Sequence, residues 1–248
     1  MKKIIFYFNK SLRLFLHIDY LFNFFKYGVC ATTEFRSLLK DIDFDTLIDI
    51  GANKGQFSLL CAVEKKNVRI FAFEPIKSEF LILKKVLKNY KNVNFNNVGL
   101  GHLRETKVIH LANKADSSSF LEFELQTKFF KNIKPIDVEI CKLRKLDSFY
   151  DSICKKNTKK IFIKIDVQGF EELVIKGGLK VISNSKFILI EVSFVALYRN
   201  QARAEKIISI LYKKGFVIKN IINSTIQKNR VIQSDLLFEN TKNNVQYK

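Results

Sequence analysis

Carboxylates stand at the ends of apolar runs at several points along the chain. In L-I-D-I-G-A-N-K-G-Q (residues 47–56), Asp49 interrupts the run, and Gly51, Asn53 and Gly55 follow at every second position. In F-A-F-E-P, Glu74 ends a second run and Pro75 stops it. In I-K-I-D-V-Q-G-F-E-E, Lys164 and Asp166 close a third, Glu171 follows, and Glu191 ends a fourth in I-L-I-E. A carboxylate at the tip of a buried segment costs free energy unless something uses it. It can accept hydrogen bonds from a ligand, take a proton from an attacking hydroxyl, or help to hold a cation.

The surrounding elements must bring these groups together. From Thr46 onward, short β-rich runs alternate with helical patterns. The pattern predicts strands Leu47–Ile50, Val68–Phe73, Val93–Val98, Ile161–Val167 and Phe187–Val192. It predicts helices Gln56–Lys65, Lys77–Asn89, Glu171–Val181 and Gln201–Lys214. Such alternation gives parallel strands joined by right-handed crossovers. Phe216–Ile222 and Leu236–Glu239 have no room for a helix between them and should form an antiparallel hairpin. The expected fold class is therefore α/β: a Rossmann-like, mostly parallel seven-stranded sheet with helices on both faces and an antiparallel terminal hairpin. An insertion at 101–160 adds strands Thr106–Leu111 and Asp137–Leu143. The domain spans 41–240, preceded by a helical, basic-aromatic segment (1–40) and followed by a polar, flexible tail (241–248).

Ligands of such sheets lie at the carboxyl ends of the strands. A dinucleotide would need G-x-G-x-x-G with helix amides on its pyrophosphate. Here the glycine spacing is one residue short and Asn53 takes the middle place. That fits a nucleoside without phosphate, S-adenosylmethionine, whose ribose hydroxyls Glu74 would accept. Asp49 is expected to accept from the ligand's ammonium or from loop amides. The expected donor-binding set is Asp49, Gly51, Asn53, Gly55, Gln56, Glu74, Pro75, Asn97 and Gly99. A parallel sheet ending in a hairpin is also the class I methyltransferase arrangement.

Four blocks in order, L-I-D-I-G-A-N-K-G-Q, F-A-F-E-P, N-V-G-L-G and I-K-I-D-V-Q-G-F-E-E-L-V-I-K-G-G, resemble the FkbM-type methyltransferases over about Asp45 to Glu191. The N-terminal segment and the last strands lie outside the resemblance. It implies an S-adenosylmethionine-dependent O-methyltransferase acting on a hydroxyl of a sugar or glycan precursor, in polysaccharide or related pathways. Gln168 departs from the family, which usually has Glu there, and N-V-G-L-G departs from A-L-G. A serine-rich stretch, A-D-S-S-S-F at 115–120, matches one common in the family and is expected to fold over donor or acceptor.

Methyl transfer to an alcohol needs the oxygen aligned and its proton accepted. The expected catalytic set is Asp166 as base or acceptor-orienting group, Lys164 paired with it, and Glu171 and Glu191 positioning the acceptor. Glu171 reads equally well as a helix N-terminal charge, and Glu191 as a partner to a lysine. His17, His102 and His110 are of the right type for a base but stand alone in the pattern. Asp166, Glu171 and Glu191 are also of the type that holds Mg²⁺, but no His or second Asp supports them at a suitable spacing.

The net charge is +19, yet only eight of the 43 basic residues are Arg and the lysines are scattered. Such a bias reads as an AT-rich genome's codon usage and a solvated surface rather than a nucleic-acid patch. An RNA 2′-O-methyltransferase and a non-catalytic scaffold of the same fold are the rival readings. Cys30, Cys61, Cys141 and Cys154 show no metal-like spacing and suit a reducing, cytoplasmic setting, with Cys61 and Cys141 in apolar patterns as core residues. Residues 1–28 carry Lys2, Lys3, Lys10, Arg13 and Lys26 against Asp19 alone. Leu12, Phe15, Leu16, Leu21, Phe22 and Phe25 are spaced for one helical stripe ending at Gly28. That stripe either packs on its own domain or a second copy, or lies in a membrane interface.

Overall fold

The structure is a computed structural model that describes residues 17–130, 132–154 and 160–242. Two short helices, α1 (Ile18–Tyr27) and α2 (Arg36–Asp41), lead into strand β1 (Thr46–Ile50), which is buried along its whole length. Then follow α3 (Gln56–Glu64), β2 (Arg69–Phe73), α4 (Lys77–Val86) and β3 (Val93–Asn96). The inserted region holds β4 (Gly99–Leu100), β5 (Glu105–Ala112), α5 (Gln126–Phe129), β6 (Pro135–Arg144) and α6 (Tyr150–Ile153). The chain closes with β7 (Ile161–Ile165), α7 (Glu171–Gly177), α8 (Leu179–Ser183), β8 (Ser185–Ser193), α9 (Ala204–Lys213), β9 (Phe216–Gln227) and β10 (Arg230–Asn240).

The seven-stranded sheet has the order β3-β2-β1-β7-β8-β10-β9. Its first five strands are parallel and β10 runs antiparallel to both neighbours. β1 is central because its apolar residues pack on both faces. Leu47 joins the core under α2, α3 and α4, while Ile48 and Ile50 join the one under α7 and α9. β7 alternates likewise, with Phe162 on the first face and Ile161, Ile163 and Ile165 on the second. Cys61 and Cys141 are buried, as their patterns predict.

Several boundaries differ from the sequence pattern for physical reasons. The third strand leaves the sheet at Asn97, so that Gly99–Leu100 pairs instead with β6 in a three-stranded sheet, β4-β6-β5. The helix after β7 breaks at Gly178. A side chain on Gly177 would meet the Gly101 carbonyl at 1.9 Å, so this pair of glycines is a packing point. The terminal hairpin is longer than expected. Lys228 and Asn229 both take positive φ (48° and 60°), giving the two-residue turn whose twist suits a hairpin.

Helix α1 stops where Gly28 turns left-handed (φ 66°) and donates its N–H to Asn23 and Phe24 carbonyls. Its orientation splits the expected stripe. Tyr20 and Asn23 are buried and Leu21 packs on the core, whereas Phe22 and Phe25 face outward. Hydrogen bonds fix this rotation: Tyr20 Oη donates to Glu64 Oε1 at 2.9 Å, and Tyr90 Oη donates to Asp19 Oδ2 at 2.9 Å. Leu12, Phe15 and Leu16 lie outside the described residues, as does most of the tail.

Gly51 shows where the fold tolerates no side chain. Its φ is +77°, and a Cβ there would lie 1.9 Å from the backbone oxygen of Asp166. Gly28, also left-handed, has open space around it. Gly51→Ala is therefore expected to prevent folding or lower Tm by more than ~10 °C. Gly28→Ala should cost about 1 kcal/mol and ~2–4 °C, as thermal unfolding would measure.

Candidate active site

The sheet register builds the site. Asp49 on β1 pairs directly with Lys164 on β7, and Lys164 pairs with Leu189 on β8. Two residues on, the same face carries Asp166 past the end of β7, Glu191 on β8, and Asp235 on β10 opposite Glu191. One row thus holds a buried lysine, and the next holds three carboxylates at the mouth of a cleft of about 470 Å³.

Lys164 is the keystone of the first row. Its Nζ donates to the Gly51 carbonyl at 3.2 Å and sits 3.2 Å from Asp166 Oδ2 and 3.7 Å from Asp49 Oδ1. Burial disfavours its charge, but Asp166 and Asp49 outweigh that and raise its pKa. Asp49 is wholly buried and accepts from Ser58 Oγ at 2.6 Å, so it faces protein rather than ligand or loop amides. Burial raises its pKa against the pull of Lys164.

Gln168 joins the carboxylates of the second row. Its Nε2 donates to Asp166 Oδ1 at 2.8 Å and to Glu191 Oε2 at 3.0 Å, while its Oε1 accepts from Tyr198 Oη at 3.0 Å. Two carboxylates can only accept and a phenol can donate, so the amide has one sensible orientation. Gln168 adopts positive φ (51°), and Ser119 Oγ donates to its carbonyl at 2.6 Å. Glu191 also accepts from Gln233 Nε2 at 2.9 Å. Burial first, then Asp166 and Asp235, push the Glu191 carboxyl well above its ordinary range. Burial and Asp166 likewise raise Asp235 to about 7, while Asn223 Nδ2 donates to it at 3.1 Å.

The other half of the cleft lies over β1, β2 and the start of β4. Glu74 is buried at its edge, and its two oxygens accept the Asn53 and Ile76 amides, each at 2.8 Å. Burial pushes its pKa up to about 8 although those two bonds oppose the shift. Gly51, Asn53, Gln56, Glu74, Pro75 and Gly99 line the cleft, with Ile76, Val98, Ile109 and Phe120 as an apolar wall. Ala115, Asp116 and Ser118–Phe120 line it too, so the serine-rich stretch is part of its wall.

Other expected site residues lie elsewhere. Gly55 packs under α4, where a Cβ would stand 2.7 Å from Leu83, so its smallness serves the helix rather than a ligand. Asn97 Nδ2 donates to the Glu74 and Pro75 carbonyls at 2.9 and 3.0 Å, holding the strand tip from behind. Glu171 is buried beneath the loop after β7, where its Oε1 accepts the Val167 and Gly169 amides at 3.3 and 3.0 Å. Burial raises its pKa to about 7. It braces the loop carrying Asp166 and Gln168 and does not share their pocket. His17 caps α1, and neither His102 nor His110 lines the cleft. Among the described residues, no three His, Cys, Asp or Glu side chains are arranged to hold a metal ion.

Sequence reading missed Gln168 as a bridge, and also Tyr198, Asn223 and Asp235. Asp235 was one residue from detection, because it directly precedes the predicted strand at Leu236. Tyr198 and Asn223 reach the site only through tertiary contacts, and so does the bond from Gln168 to Glu191.

The lining tests which donor fits. Among the described residues, Glu34, Glu74, Asp116, Asp166, Glu191 and Asp235 line the cleft, against Lys164 as the single Lys or Arg. Phosphates would be repelled, whereas a sulfonium cation with a ribose and an apolar base suits the acids and the Ile76–Phe120 wall. S-adenosylmethionine therefore fits a cleft lined by Glu74, Val98 and Gly99.

A parallel sheet with an antiparallel β10, bearing this cleft at its carboxyl ends, defines a class I S-adenosylmethionine-dependent methyltransferase. The chain belongs to the FkbM family: the methyltransferase FkbM domain matches residues 49–218. No curated protein matches it. Among solved structures it is similar to the precorrin-6y C5,15-methyltransferase of Geobacter metallireducens, at 15% identity, covering 79% of this chain and 80% of that one, with a TM-score of 0.43. It is also similar to the magnesium protoporphyrin IX methyltransferase of Synechocystis, solved with bound donor (12%, 82% and 74%, TM-score 0.45). An rRNA methylase of Streptococcus thermophilus gives 9%, 82% and 92%, with TM-score 0.45. Likenesses this distant bear on neither acceptor nor site residues.

Two predictions follow from the acids. A bound cation favours ionised carboxylates, so donor binding should release protons held by Glu74 and Asp235. Affinity for S-adenosylmethionine should then rise as pH climbs from about 6 to about 8, which titration calorimetry in buffers of different ionisation enthalpy would detect. Gln168→Glu would set a third carboxylate against Asp166 and Glu191, with its folded-state pKa raised. Its stability should match wild type below the ordinary carboxylate pKa and fall as pH rises through the raised value. The Tm gap is expected to be small near pH ~5 and to widen by several degrees near pH ~8.

Proposed function

We propose that the enzyme methylates a hydroxyl oxygen of a sugar or glycan precursor, in polysaccharide biosynthesis or a related pathway. The observation that carries this reading is the row Asp166, Glu191 and Asp235 along the acceptor end of the cleft. Vicinal hydroxyls, as a sugar presents them, match adjacent carboxylates that accept or share protons.

When bound, S-adenosylmethionine supplies an activated methyl group on a sulfonium. Asp166 is the one carboxylate of the row both held by Lys164 and open to the cleft, its side chain 36% exposed. Its place suits it to accept the acceptor's hydroxyl proton, while Glu191 and Asp235 orient neighbouring hydroxyls. Lys164 pairs with Asp166 at 3.2 Å, and Gln168 fixes the direction of its carboxylate. An RNA acceptor is less well served, because the acidic lining would repel a phosphate backbone brought to it.

The test is a methyl-transfer assay with labelled donor across glycan precursors, small polyols and RNA. Transfer to a glycan or polyol hydroxyl is expected, and Asp166→Asn should lower kcat by about 10²–10⁴ while donor affinity changes little. Transfer to RNA alone, or full activity in Asp166→Asn, would overturn the reading.

A further inference from the structure

Helix α1 is amphipathic the wrong way round. Tyr20 and Asn23 are buried, whereas Ile18 (79% exposed), Phe22 (44%) and Phe25 (78%) look outward. These three recur at i, i+4, i+7 as a stripe on solvent, while the half-buried Leu21 packs against the core. The Tyr20–Glu64 and Asp19–Tyr90 hydrogen bonds lock this rotation, so the stripe cannot turn inward. Lys26 Nζ lies 5.0 Å from the centroid of the Phe22 ring. α4, which packs against α1, exposes Lys84 and Lys85, and Lys88 is exposed just past its end. The preceding sixteen residues add Lys2, Lys3, Lys10 and Arg13 with no acid.

We propose that this face docks on an anionic bilayer, with Ile18, Phe22 and Phe25 entering the interfacial layer and the lysines meeting lipid phosphates. Apolar side chains ringed by cations are what such a surface takes. A second copy is a poor occupant. Two chains of charge +19 repel, and three side chains offer on the order of 300 Å², less than half of what a stable interface uses per partner. No helix among the described residues is long and apolar enough to cross a membrane. The proposal stands on α1 and does not depend on the identity of the acceptor. Gly28, Cys30 and Thr32, just past the helix, line the cleft, so docking would hold the cleft mouth near the lipid surface.

The test is co-sedimentation of the full chain with vesicles of phosphatidylcholine, with and without about 30% phosphatidylglycerol. Binding to the anionic vesicles alone, weakened by salt, is expected. Ile18→Glu/Phe25→Glu should lose at least tenfold in partitioning while Tm and donor binding stay unchanged. A polarity-sensitive dye on Ile18→Cys should shift to the blue only on anionic vesicles. No binding, equal binding to neutral vesicles, or an unaffected double variant would each overturn the proposal. So would a dye already shifted without vesicles, with light scattering then telling a second copy from cover by residues 1–16.

Discussion

The site hangs on one buried cation. Lys164 lies between Asp49 and Asp166 and donates to the Gly51 carbonyl, so it ties the turn after β1 to the tip of β7. The two segments meet so closely that Gly51 has no room for a side chain against the Asp166 carbonyl. Without the ammonium, Asp49 would be a charge in the core with only Ser58 for company, which costs far more than an exposed pair gains. The distance between the donor turn and Asp166 is therefore set by the core.

Around that tie, the sheet divides the cleft in two. Parallel strands β1 and β2 present Glu74 and the glycine turn, with Ile109 of the second sheet and Phe120 as an apolar wall. Strands β7, β8 and the reversed β10 present carboxylates, because their register places Asp166, Glu191 and Asp235 side by side. The chain is strongly basic overall, yet its cleft is acidic. The positive surface and the negative cleft thus suit different molecules, and net charge alone is a poor guide to what the cleft accepts.

Much of this was legible in the sequence, and what was not has identifiable causes. Four of the five parallel strands announced themselves by a short apolar run ending near an acid or a glycine, and Glu74 and Asp166 line the cleft from those ends. Asp49, inside β1, and Glu171, opening α7, stand in the same blocks and yet face the protein. Whether a strand-end acid points at a ligand or a neighbour depends on cross-strand partners such as Lys164, which no local pattern reveals. The hairpin was read too short, since the polar residues Asn223–Thr225 look like a loop until paired with β10. The stripe of α1 was visible but its direction was not, because Tyr20 and Asp19 anchor the helix through bonds to the distant residues Glu64 and Tyr90.

The amide of Gln168 separates Asp166 from Glu191 with two N–H groups that no change of pH removes. A carboxylate in that position would need a shared proton, or an ion drawn from solution, to coexist with its neighbours. The amide keeps the trio geometrically fixed whatever the acidity or mineral content of its surroundings. A single-base codon change between Gln and Glu would trade that constancy for dependence on the medium.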